Sequence, residues 1–230
     1  ISLLLMTLSK LNKSIIQCRK CNRLVHFREK IAIEKRRQYF DQDYWGKPIT
    51  GYGDPNAKLL MVGLAPAAHG GNRTGRVFTG DKSADFLFKC LYESGFSNQA
   101  LSVNKNDGLK LNNLYLTTAL KCVPPEDKPT SNELKTCFNF FSKEISSLKN
   151  ITIILALGKI GHDACINYYK QHYNIKNKDY IFSHGSKNKL PDNKLLMGSY
   201  HPSPRNVNTG RINKSKMVSL LKKVKRELNT

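Results

Sequence analysis

The chain has 230 residues, 40% of them hydrophobic and 9% aromatic, which suits a folded protein with a sizeable core and excludes a disordered or fibrous one. Its 38 Lys and Arg stand against 17 Asp and Glu, a formal net charge of +21 at pH 7. Such a surplus points to a polyanionic partner, nucleic acid or an acidic membrane surface, although a chain this rich in Lys and Asn also carries surface lysines that are merely solvated.

In chain order, Leu4, Leu8, Leu11 and Ile15 recur at helical spacing. That N-terminal stretch reads as a helix, since it lacks the basic leader and cleavage site of a signal peptide. No apolar run is long enough for a transmembrane helix. A charged helical stretch follows over 24–39. Residues 58–62 read as a buried strand, and 83–94 as a helix with Phe86, Leu87, Cys90 and Leu91 inward. Residues 97–112 read as a polar loop and 114–120 as a second strand. Thr130 and Glu133 have the spacing of a capping box ahead of a helix that runs past Cys137 and Phe141. Residues 151–157 are apolar throughout and read as a third strand buried on both faces. Gly158 and Gly161 lead into a helix ending near Tyr169. Residues 170–193 are irregular, and 195–199 form a fourth strand. The chain closes on an amphipathic helix with Met217, Leu220, Leu221, Val224 and Leu228 on its apolar stripe. Strands alternating with helices predict a single-domain, three-layer α/β/α sandwich around a central four-stranded parallel sheet.

Cys18 and Cys21 form a CxxC, and Cys122 and Cys137 a wider pair far downstream. A zinc ribbon carries two tight pairs close together. One tight pair plus two dispersed cysteines suits a four-thiolate site stapling the N-terminus to the domain, and either zinc or a [4Fe–4S] cluster satisfies four thiolates. Plain thiols are the bland alternative. Cys90 and Cys165 lie on apolar helix faces and read as small buried hydrophobes.

Two strings stand directly after predicted strands: GLAPAAHGGNRTGRVFTGD at 63–81 and SYHPSPRN at 199–206. In an open α/β sheet, ligands bind beyond the carboxyl ends of the strands, so both strings open onto one crevice. Small residues in the first let backbone approach a ligand closely. Together the strings supply Asp81, His69 and His201, with Arg73, Arg76 and Arg205 nearby. The first lacks the GxxxxGK[ST] pattern of a phosphate cradle.

These strings resemble motifs 1 and 2 of the uracil-DNA glycosylases, specifically the iron–sulfur type called family 5. The sibling family 4 usually carries GEAPG in motif 1; Leu64 and Ala67 stand there instead. The resemblance covers roughly 15–225. It implies the uracil-DNA glycosylase fold and monofunctional removal of uracil, and of hypoxanthine or xanthine, from duplex DNA with the damaged base flipped out. It also implies a [4Fe–4S] cluster on Cys18, Cys21, Cys122 and Cys137, and a cytoplasmic, nucleoid-associated monomer with no membrane partner. Breaking an N-glycosidic bond builds positive charge on the sugar and negative charge on the departing base, and needs groups complementary to both. By the resemblance Asp81 is the catalytic carboxylate, although it also stands where an N-cap for the next helix is expected. His201 donates a hydrogen bond to the leaving base, and Phe78 stacks on it or anchors the loop. Gly63, Ala65 and His69 border the base, with His69 also suited to bracing the loop. Ser203, Arg205 and Asn206 suit phosphate contacts, and so do Arg73 and Arg76 unless they are solvated loop arginines. With no lysine in either string, a Schiff-base lyase step is not expected.

One position departs from the pattern. Relatives read T-N-A-V-R-C before the third cysteine, with the Asn on the base edge; here Thr118 stands in its place. An amide offers a donor and an acceptor, a hydroxyl one short group, so a relaxed base pocket is expected. The competing readings are a non-catalytic nucleic-acid-binding protein with a structural metal, and a hydrolase of nucleotide phosphates.

Overall fold

A computed structural model describes residues 8–229. Leu4, of the predicted N-terminal stripe, lies outside the described residues. Six strands form one sheet: β1 (Tyr52–Gly53), β2 (Leu59–Gly63), β3 (Leu114–Thr118), β4 (Ile153–Leu157), β5 (Lys187–Lys189) and β6 (Leu195–Ser199). Their order is β1-β3-β2-β4-β6-β5. The pairs β2–β3, β2–β4 and β4–β6 are parallel. The expected four-stranded parallel centre is therefore present, and it is widened by an antiparallel strand at each edge. Those edge strands are too short and too polar to leave a period-two signal.

The helices are α1 (Leu8–Ile16), α2 (Asn22–Glu34), α3 (Gly71–Thr74), α4 (Lys82–Glu93), α5 (Ser131–Ser147), α6 (Lys159–Lys170), α7 (Pro204–Asn208) and α8 (Lys214–Leu228). Strand side chains alternate between faces, and this splits the core in two. Leu59, Met61, Leu114, Leu116, Ile153 and Leu155 join α4 and α8 on one face. Leu60, Val62, Tyr115, Ile154 and Ala156 join α5 and α6 on the other. Truncating any of these buried leucines to Ala costs about 2–5 kcal/mol.

Local chemistry explains several boundaries. Asp81 caps α4, and Thr130 and Glu133 form the expected capping box of α5. The charged stretch expected over 24–39 breaks after Glu34, because Lys35 turns to a φ of +51° and a short 3₁₀ turn follows. The third strand starts at Ile153 rather than 151. The short α3 falls inside the first string and α7 begins inside the second, where glycine, proline and polar residues hide a helical period.

Candidate active site and cysteine site

The carboxyl ends of β2, β3, β4 and the chain after β6 enclose a pocket of about 560 Å³. Both strings open onto it, as the crevice rule requires. Ala65, Phe78, Asp81, Thr118, His201 and Ser203 line it.

Phe78 is buried and holds a left-handed φ of +48°, a conformation that a bulky residue keeps only where its surroundings impose it. Gly63 makes room for it: a Cβ on Gly63 would lie 2.6 Å from the tip of the ring. Gly63 is thus a spacer for Phe78 rather than part of the wall. Asp81 caps α4 and lines the pocket. Its Oδ1 accepts from the N–H groups of Ser83 and Ala84 at 2.9 and 3.0 Å. Its Oδ2 makes no hydrogen bond among the described residues. That oxygen lies so near Gly70 that a Cβ there would stand 2.0 Å away. Burial pushes the Asp81 carboxyl up, and the two cap N–H groups only partly offset this.

Burial pushes His201 down to about 4, so its ring is neutral at pH 7. A neutral imidazole still carries one N–H to donate. Asn206 braces this turn by donating to the His201 carbonyl at 2.9 Å, and Ser203 caps α7 by accepting from the Asn206 N–H. Thr118 is 1% exposed at the end of β3, and its hydroxyl has no partner among the described residues. Arg205 is exposed at the rim.

Besides Gly63, three expectations need correction. Arg73 is buried: it donates to the carbonyls of His69 and Gly80 at 2.7 Å each and to Gln42 at 2.6 Å, with Tyr39 beneath its guanidinium. Arg76 is 5% exposed; it bonds Thr79 and Ser102 at 2.9 Å and grips Asp107 with two nitrogens. Burial alone would push Asp107 up, but Arg76 and the N–H groups of Leu109 and Val103 hold it down at about 2. Neither arginine is available to a phosphate; both brace the loop from behind. His69 is outside the pocket lining, with Nδ1 3.0 Å from the Tyr44 hydroxyl. Conversely, Glu126, Asp127 and Lys159 line the pocket unforeseen. Their signal was position alone: the first two follow β3 in a Pro-Pro turn, with φ of +54° and +57°, and Lys159 follows β4.

Behind the pocket, Cys18, Cys21, Cys122 and Cys137 line one small cavity with apolar walls that include Leu24, Val25 and Leu120. All four are free. Burial pushes Cys122 up to about 11 and Cys137 to about 12; Cys18 adds to both shifts, Cys21 to the first and Cys122 to the second. The four sulfurs thus share one electrostatic neighbourhood. Among the described residues, no three His, Cys, Asp or Glu close as ligands on a single ion. The donor set still fits a thiolate-held group: N–H donors reach two of the sulfurs, from Arg28 to Cys122 at 3.0 Å and from the Lys121 backbone to Cys137 at 3.3 Å. Between pocket and cysteines, the fully buried Lys121 and Glu144 pair, and Glu144 also accepts from the Thr117 hydroxyl. This fixes the segment that carries Thr118 at one end and Cys122 at the other.

A family model described as "Uracil DNA glycosylase superfamily" matches residues 50–225. The chain is 39% identical to the type-5 uracil-DNA glycosylase of Thermus thermophilus over 93% of this chain and 95% of that protein. It is 38% identical to the type-5 uracil-DNA glycosylase of Pyrobaculum aerophilum over 91% and 88%. With the type-4 uracil-DNA glycosylase of Archaeoglobus fulgidus the identity is 23%, over 86% and 82%.

Proposed function

The chain belongs to the uracil DNA glycosylase superfamily, and from that membership we propose a base-excision enzyme whose pocket accepts more than one deaminated base. It is a DNA N-glycosylase, a hydrolase that releases uracil from DNA at the start of base excision repair. The reading as a non-catalytic binding protein and the reading as a nucleotide-phosphate hydrolase both fall with that membership.

One observation carries the mechanism: Asp81, Thr118 and His201 line a single pocket, and Asp81 and Thr118 each keep a polar atom without a partner among the described residues. The base leaves the stack and enters against Phe78. The neutral His201 ring gives its N–H to the base as negative charge develops there. Asp81 presents Oδ2 toward the sugar side, where it offsets the oxocarbenium charge or orients the attacking water. With a hydroxyl at 118 in place of an amide, base-edge selection loosens, and hypoxanthine and xanthine join uracil as substrates. Arg205 supplies a phosphate contact at the rim.

In this reading Cys18 and Cys21, between α1 and α2, Cys122 after β3 and Cys137 in α5 would hold a [4Fe–4S] cluster, which would supply a covalent staple between these segments. The protein, in this reading, works as a monomer on chromosomal DNA in the cytoplasm. The test is incubation with duplexes carrying uracil, hypoxanthine or xanthine, scored for alkali-labile abasic sites. Abasic sites from uracil alone would overturn the broad pocket.

A further inference from the structure

We propose that Arg28 is a positioning residue for the cysteine site, its guanidinium serving as the resident counter-charge to the sulfurs. This rests on the metal reading of the four cysteines. Arg28 is 2% exposed on α2. A guanidinium does not shed its proton in a protein, so a buried one needs negative charge beside it. Among the described residues the one carboxylate within ion-pair reach is a distant one. Glu29 is 3.9 Å away and 40% exposed, and both its oxygens are held by Arg19. Arg28 instead donates from Nη1 to Cys122 Sγ at 3.0 Å and from Nη2 to the Cys18 carbonyl at 3.1 Å. Its Nε is buried with no partner among the described residues. A neutral thiol is a weak acceptor; a metal-bound thiolate carries the charge that this cation matches. One buried residue thus touches both halves of the cysteine set, the CxxC and the distal pair. Its own carbonyl accepts from the buried Asn72 in α3 at 3.1 Å, so the same residue ties the cysteine site to the loop that carries Asp81.

The experiment compares anaerobically prepared wild type, Arg28→Met and Arg28→Lys. Iron, zinc and acid-labile sulfide in the wild type decide the metal reading by themselves. The Arg28 role is read from the rate of metal release to a chelator. Loss of a partner that orients a metal ligand weakens retention by about 10- to 100-fold, so Arg28→Met should release metal faster by that factor, with Arg28→Lys between it and the wild type. In iron-loaded protein the midpoint potential adds a readout that follows the charge and hydrogen bonding at the sulfurs: Arg28→Met should shift it to more negative values, and Arg28→Lys should stay near the wild type. Should Arg28→Met not fold, Arg28→Gln takes its place. Wild-type release rates and an unmoved midpoint in the neutral variant would overturn the proposal. So would equal behaviour of the Lys and neutral variants, which means packing without charge. Zinc in the wild type removes the cluster but leaves the release test in force, and a wild type with no metal on these sulfurs removes both.

Discussion

The loop over 63–81 has two sides that look alike in sequence and differ in what their atoms are free to do. Its back side carries Arg73, Arg76 and Thr79, where each guanidinium nitrogen already has a protein partner. Its pocket side carries Asp81, with one oxygen committed to the α4 cap and the other uncommitted among the described residues. Arginines near a DNA enzyme's pocket invite a phosphate reading, but a guanidinium that is buried with every nitrogen already bonded inside the fold is not presented to a ligand. The back side stabilises the loop, and the pocket side keeps an atom free for the proposed chemistry.

The largest effect that tests this contrast belongs to Arg76. Removing one partner of a buried pair leaves an uncompensated charge and costs about 3–5 kcal/mol. Arg76→Ala should therefore lower the thermal midpoint strongly, by about 2–4 °C per kcal/mol for a chain of this size. DNA affinity of the protein that remains folded should stay unchanged. A stable Arg76→Ala protein with weakened DNA binding would erase the distinction between the two sides.

Asp81→Asn separates the two tasks of a single residue. Asn is as good an N-cap as Asp, so stability should hold while the carboxylate charge is lost. Single-turnover base release should fall by about 10²- to 10³-fold, the usual cost of removing one preorganised group. An unchanged rate would make Asp81 a cap and nothing more.

His201 yields a prediction in pH. Its folded value of about 4 lies below the ordinary 6.5 or so. The unfolded chain therefore takes up a proton that the fold resists, and this residue lowers stability progressively as pH falls from about 6.5 toward 4, with no contribution above that window. Base release should show no limb from His201 between about pH 5 and 8. A rate that drops as pH rises through 6.5 would mean the ring works protonated.

These cases also mark how far the sequence could be read. The lone carboxylate of the two strings, the His-Pro after a strand, the capping box at Thr130 and the four apolar strands were legible because each rests on residue type and spacing. The commitments of Arg73 and Arg76 were not, since Gln42, Ser102 and Asp107 reach them from elsewhere in the chain. His69 faced the same ambiguity and resolved toward Tyr44. Glu126 and Asp127 were hidden because a polar turn has no period to betray it.

Thr118→Asn probes the pocket wall directly. An amide restores a two-point contact to the base edge. One well-made hydrogen bond is worth about 1 kcal/mol, and an unpaired buried group costs about 1–3. The ratio of uracil to hypoxanthine rates should rise by about five- to a hundred-fold at about 1.4 kcal/mol per decade. An unchanged ratio at full activity would move selectivity to the loop over 63–81.

Arg205→Ala should produce the smallest change, and it completes the contrast with Arg73 and Arg76. Arg205 is the one arginine of the two strings that is exposed at the pocket rim, so its guanidinium remains available to a phosphate. Neutralising a phosphate releases counterions, and each such contact contributes about 0.9 to the slope of log K against log[salt] on duplex DNA. Losing one contact should flatten the slope by about that much. It should weaken binding alike on every sequence, because a phosphate carries no base identity. The base-release rate at saturating enzyme should stay within a few-fold of the wild type. A salt titration of both proteins measures the slope, and an unaltered slope would mean that Arg205 meets only solvent and that the phosphate-positioning surface lies away from the second string.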